Sequence, residues 1–296
     1  MNLRTAIDQY LQHLRAERNL APRTIEAYRY DLERLETWLQ VDGKPRRVGD
    51  VEAWDLKDYI ATLKEDSNLK PTTLSRTICS IRGLFRWATV EGHTERNPSA
   101  MIRTPRKPKR LPIFMSAPEA RRLSAAPPPD ERQGPRDRAI LLVLIMSGLR
   151  VSELVGLDLS AVDRQTGTLR VFGKGRKERL IPLSSSARGV IEGWLALRPT
   201  RPGESALFTT AKGVRMTARM VQYLVRKAVR RAGLDPRISP HKLRHTFATH
   251  LYAQGTELRD IQELLGHANL TSTSIYTHTN VERLRDAVKS LSEDLS

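Results

Sequence analysis

Apolar positions in the first hundred residues recur at helical spacing and nowhere alternate as a strand would. Leu3, Ile7, Tyr10, Leu11 and Leu14 line one face of a predicted first helix. Pro22 and Thr24 open a second, with Ile25, Tyr28, Leu32, Leu35 and Leu39 on one side. After a break at Gly43–Asp50, Asp50 is placed to cap a third helix carrying Trp54, Tyr59, Ile60 and Leu63. Pro71 and Thr72 start a fourth, with Leu74, Ile78, Ile81, Leu84, Phe85 and Ala88 inward. The aromatic residues on these faces read as core, and so does the single cysteine, Cys79.

The pattern changes after residue 112. Helical spacing over Pro118–Ala125 and Pro135–Met146 gives way to β-branched or alternating runs at Thr168–Phe172 and Arg179–Leu183. These flank Gly173-Lys174-Gly175-Arg176-Lys177-Glu178, which predicts a hairpin. Ser186–Leu197 reads as a helix, Ala206–Thr209 as a short third strand, and Ala218–Ala232 as a basic amphipathic helix. From Pro240 the chain is helical again, broken at Gly255, at Gly266 and near Asn280. The expected fold class is mainly α: four helices over residues 1–102, then an α+β domain with a small antiparallel sheet over 113–296.

Residues 103–112, RTPRKPKRLP, divide the two. Proline stops helix propagation there, and Arg103, Arg106, Lys107, Lys109 and Arg110 repel one another and extend the chain. The segment is either a solvated linker or a strap along a phosphate backbone. The length of 296 residues suits two domains. The formal net charge is +17, and both halves are basic, which favours two surfaces facing one polyanion over a basic arm on a neutral body. Of the 50 basic residues only 12 are lysines; arginine's planar fork suits phosphate oxygens. One cysteine excludes a disulfide framework and a multi-cysteine zinc site. Asp8 and Gln9 break any leader-like apolar run, and Ala139–Met146 is too short to span a bilayer, so a cytoplasmic protein is expected.

Four stretches of the second half are polar where the pattern calls for core. An apolar helix ends at Gly148 and Arg150 follows, at the edge of the core, where it needs an anion or a carboxylate such as Glu153. Lys174 sits between glycines at the hairpin tip, either a solvated turn lysine or a residue brought close to a ligand. His241 and Arg244 share a helical face; His241 and His245 have metal-chelating spacing but no third ligand. His267 follows Gly266, and Tyr276 comes nine residues later. Two arginines and two histidines are donors suited to charge developing on a pentacoordinate phosphorus. A lysine can protonate an alkoxide leaving group and a tyrosine can attack, giving a phosphotyrosyl ester that lets a strand be rejoined without ATP.

At these residues the chain resembles the tyrosine recombinase (phage integrase) family, and most of all its Xer-type site-specific recombinases. SGLRVSEL, GKGRKERLIPL, HKLRHTFATHL and LLGHANLTSTSIYTH carry the resemblance, in the family's order and spacing. The first half is similar to the family's SAM-like core-binding domain. The resemblance implies that Tyr276 forms a 3′-phosphotyrosyl link, that Arg150 and Arg244 clamp the nonbridging oxygens, and that Lys174 is the general acid, with Lys177 a rival by position. His241 and His267 would hydrogen-bond the phosphate or assist proton transfer, and Glu153 would support Arg150. No metal or other cofactor is called for.

The implied partners are double-stranded DNA and a tetramer, formed with itself or a paralogous recombinase on two DNA sites, with a DNA translocase as a further partner. The implied task is resolving chromosome or plasmid dimers at segregation, on the nucleoid. Residues 281–293 would form a terminal helix that packs on its own domain or docks on a neighbouring subunit. The chain begins directly at the core-binding region, which favours a resolvase over a phage or mobile-element integrase. The rival of another class is a non-catalytic helix-turn-helix regulator over 240–265. Its second helix, however, carries Leu258, Ile261, Leu264 and Leu265 and reads as core.

Overall fold

The computed structural model describes residues 1–18, 20–40, 46–66, 69–103, 113–173, 178–266 and 284–289. The chain divides into two compact units, Met1–Arg110 and Leu111–Ser296. Among the described residues no helix is long and apolar enough to cross a membrane.

The first unit holds α1 (Leu3–Ala16), α2 (Pro22–Leu39), α3 (Ala53–Glu65) and α4 (Pro71–Val90). Each start has a local cause. The Asn2 side chain accepts from the Thr5 N–H, and proline stands in the first turn of α2 and α4, where its missing donor costs nothing. The apolar faces expected from the sequence meet in one core, with Leu3, Ile7, Leu32, Leu35, Leu56, Ile78, Ile81, Leu84 and Phe85 buried.

Three expectations for this unit fail. Asp50 does not cap α3; it ends a short 3-10 turn, Val48–Asp50, and the Asp55 carboxylate instead accepts from the Glu52 N–H at 2.8 Å. Trp54 is exposed, because it stands roughly 200° around the helix from Leu56. Cys79 is exposed for the same reason relative to Ile81.

The second unit holds α5 (Ala117–Ala125), α6 (Gly134–Ser147), α7 (Val151–Val155), β1 (Val162–Asp163), β2 (Thr168–Phe172), β3 (Glu178–Pro182), α8 (Ser185–Leu197), α9 (Ala218–Arg231), α10 (Pro240–Ala253) and α11 (Leu258–Leu265). A final helical turn covers 284–289. From Ala139 to Ser147 α6 is buried at every position but Leu142, and it packs against α8 and α10. The three strands form an antiparallel sheet in the order β1-β2-β3, with Leu169 opposite Ile181 and Val171 opposite Arg179. Residues directly opposed across a pair point to the same face. Arg179 therefore faces inward beside the buried Val171, Leu169 and Ile181.

The third strand is β1, not the expected Ala206–Thr209. That run is buried but forms only isolated bridges, Asp158 with Ala206 and Thr209 with Arg215. Its carbonyls find other partners: Arg198 Nε donates to Ala206 O, Trp194 Nε1 to Leu207 O, the Met216 N–H to Phe208 O and Arg136 Nη1 to Thr209 O. In α11, Ile261, Leu264 and Leu265 are buried as expected, while Leu258 is exposed. Leu284 and Val288 of the final turn are buried in this same unit's core. Residues 104–112 of the expected linker lie outside the described residues.

Candidate active site

The site begins where α6 stops. Gly148 takes a left-handed conformation, φ 58°, that an L side chain adopts only at a cost. A Cβ there would stand 2.4 Å from Phe247 Cδ1. Buried Leu149 follows, and Arg150 becomes the N-cap residue of α7. Three residues on, the Glu153 carboxylate reaches back and accepts from the Arg150 N–H at 2.8 Å, the returning half of a capping box. The same carboxylate accepts from Arg150 Nη1 at 2.8 Å.

Two further arginines converge from distant parts of the chain. Arg179, on β3, donates through Nη1 and Nη2 to the two Glu153 oxygens at 3.1 and 2.8 Å. Arg244, on α10, lies 3.8 Å from Glu153 and donates to the carbonyls of Gly148 and Leu265. Glu153 thus accepts four hydrogen bonds, about the full capacity of a carboxylate.

All three arginines also reach the C-terminal end of α11. Leu265 O accepts from Arg244 and, at 3.5 Å, from Arg150; Leu264 O accepts from Arg179 at 2.9 Å. The last carbonyls of a helix have no partner within it and carry its negative dipole end, so cationic forks suit them. Gly266, φ 64°, closes the helix, and His267 is the next residue.

Among the described residues, three guanidinium groups therefore surround one carboxylate, a local excess of two positive charges. Burial would raise the Glu153 carboxyl, but the hydrogen bonds and charge of Arg179, with the Arg150 amide and guanidinium, outweigh it and hold the group below its ordinary range. Burial pushes the Arg244 guanidinium down to about 10; the Arg150 and Arg179 charges add to that push and Glu153 opposes it. Arg244 stays cationic at neutral pH, at a cost that an incoming anion would relieve. Exposure separates the three. The side chain of Arg150 is 43% exposed, and those of Arg179 and Arg244 are 5% and 8%.

The family models match both units. The phage integrase family matches residues 114–283, and the N-terminal SAM-like domain of phage integrases matches 7–92. The sequence is 39% identical over 292 residues to the tyrosine recombinase XerC of Natranaerobius thermophilus, across 96% of this chain and 97% of that protein. The chain belongs to the phage integrase family of tyrosine recombinases. The recombinase is also 39% identical, over 285 residues, to the XerD of Pseudomonas aeruginosa, across 95% of this chain and 94% of that one. Its fold is similar to that of the XerH site-specific recombinase bound to palindromic difH substrate in a post-cleavage complex. There the TM-score is 0.68 at 24% identity, over 97% of this chain and 85% of that one.

Of the site residues expected in the recombinase, Arg150 and Arg244 are brought together around Glu153. His241 lies exposed in the first turn of α10, one turn before Arg244. Lys174, its rival Lys177, His267 and Tyr276 lie outside the described residues. The described chain reaches the flanks of three of these: Gly173 precedes Lys174, Glu178 follows Lys177, and Gly266 precedes His267. His245, one turn beyond His241, has its imidazole pKa lowered by burial and by the neighbouring Lys242 and His241 charges.

Arg179 was missed from sequence. It reads there as one more basic residue in GRKERL. The available signal was its period-two placement with Ile181, which puts a cation on the inward face of a strand.

Proposed function

We propose that the cluster of Arg150, Glu153 and Arg244 is the seat for a scissile DNA phosphate, with Tyr276 as the nucleophile. The observation that carries this reading is the surplus of positive charge around a saturated carboxylate, at the root of the segment leading to His267 and Tyr276. Arg150 and Arg244 place donors on the two nonbridging oxygens as negative charge grows there. The Tyr276 oxygen bonds to phosphorus, the bond to the 5′ oxygen breaks, and Lys174 supplies the proton that makes a 5′-hydroxyl. His241 and His267 hydrogen-bond the phosphate or carry the tyrosine proton. The 3′-phosphotyrosyl ester keeps the energy of the broken bond, so the reverse attack reseals a strand without ATP or metal.

The biological task on this reading is resolution of chromosome or plasmid dimers at segregation. The enzyme works as a tetramer on two duplexes, with itself or with a paralogue. The basic segment 103–112 joins the core-binding domain, 1–102, to the catalytic domain, 113–296. A duplex nicked beside the scissile phosphate tests the chemistry. Wild-type protein should become covalently attached to chromosomal fragments at mappable positions, and Tyr276→Phe should bind the same fragments without attachment. Binding with no adduct from the wild type would mark a regulator instead.

A further inference from the structure

We propose that Arg179 is a positioning residue for strand cleavage. It ties the lysine-bearing hairpin to the phosphate-binding arginines and to the root of the tyrosine segment. The inference rests on the reading of the site given above.

Three bonds of one side chain carry it. Nη1 and Nη2 grip Glu153 as a two-pronged pair, and Glu153 in turn holds the Arg150 backbone and guanidinium. Nε donates to Leu264 O in the last turn of α11. The backbone of Arg179 belongs to β3, directly after the loop that bears Lys174. Three pieces of the machinery therefore meet at a single guanidinium: the foot of the hairpin, the N-terminus of α7, and the C-terminus of α11.

Gly266 is a second, separate observation. A Cβ added there would lie 2.9 Å from Arg179 Nη1 and 3.2 Å from Cζ, so the guanidinium is packed directly against the residue before His267. Displacing Arg179 would disturb the departure of that segment as well as the hairpin.

The side chain itself is 5% exposed and all three of its nitrogens donate to protein groups, whereas the Arg150 side chain is 43% exposed. Arg179 acts through other groups and does not touch the phosphate. A lysine could not replace it, since a single ammonium head has neither the planar fork nor the Nε donor.

The test uses full-length protein and a nicked duplex carrying a chromosomal sequence that the wild type captures covalently. Arg179→Met should slow single-turnover capture about 10- to 100-fold, the usual effect of removing a group that orients a reacting one. Its affinity for the same duplex should stay within about threefold of wild type. Arg179→Lys should recover part of the rate. Combined with Glu153→Gln, Arg179→Met should slow capture no further than the worse single variant, because both cut the same chain of contacts. If Arg179→Met fails to fold, as judged by far-UV circular dichroism, Arg179→Lys carries the test and must itself cleave more slowly. A wild-type rate in either folded variant, equal losses of affinity and rate, or additive effects with Glu153→Gln would overturn the proposal. No adduct from the wild type would sink the reading of the site itself, a result distinct from any of these.

Discussion

Arg244 and Gly148, ninety-six positions apart, are joined by a 2.8 Å hydrogen bond from Nη1 to the carbonyl oxygen. The bond ties α10 to the turn that ends α6, and so holds one predicted phosphate ligand beside the other. Because Arg244 also bonds the last residue of α11, its place is set from two sides before any substrate arrives. Arg244→Ala should therefore lower single-turnover cleavage by about 10²–10³-fold, the scale of losing one preorganised donor to a developing oxyanion. Rates measured on the nicked duplex check this, and near wild-type cleavage would remove Arg244 from the site.

Glu153 governs a window of acid sensitivity. Its carboxyl sits lower in the folded protein than its ordinary value of 4.5. Its contribution to stability is therefore complete above that value and is lost as pH falls through the lower folded value. Removing one partner of a buried pair costs about 3–5 kcal/mol, because the partner charges are left uncompensated. Glu153→Gln should show a deficit near that size in urea unfolding at neutral pH. The gap to wild type should narrow only below the ordinary carboxylate range. A gap that stays constant down to strongly acidic pH would contradict the assignment.

Gly148→Ala should destabilise by more than its backbone conformation alone explains. A left-handed conformation costs an L residue about 1–2 kcal/mol. The new Cβ would also meet Phe247 at 2.4 Å. Gly233→Ala is the control, since Gly233 has φ 63° but nothing within 4 Å of an added Cβ. Thermal melting of both variants should show the larger loss at Gly148; equal losses would mean that Phe247 yields without cost.

Affinity for duplex DNA should fall steeply with salt, as released counterions demand for a protein of charge +17. Arg150→Ala should make the log–log slope shallower by about one unit if its exposed guanidinium meets a phosphate. Fluorescence anisotropy titrations across salt concentrations read the slope directly, and an unchanged slope would place Arg150 away from the backbone.

Much of the fold was legible in the sequence, because periodicity is a local property. The faces of α1, α2 and α4, the β2–β3 hairpin and the stop at Gly148 follow from side-chain spacing and backbone preference. Trp54 and Cys79 were misassigned against the helical period itself, and the other errors fell where a neighbour decides. Asp50 lost the capping role to Glu52 and Asp55, and the carbonyls of Ala206–Thr209 found Arg198, Trp194, Met216 and Arg136 in place of the expected strand pairing.

The sequence by itself determined the family, and it put forward the residue types proposed for the chemistry, because a motif is an order of residues along one chain. Tertiary structure alone decided that Glu153 is shared among three arginines, that Arg244 is buried while Arg150 faces outward, and that Arg179 belongs to the site. Those facts depend on which backbone carbonyls and charges come within hydrogen-bonding distance after α6, α10, α11 and β3 have packed. Such distances are set by the fold as a whole; the spacing of residues marks only that Arg179 shares the inward face of its strand with Ile181.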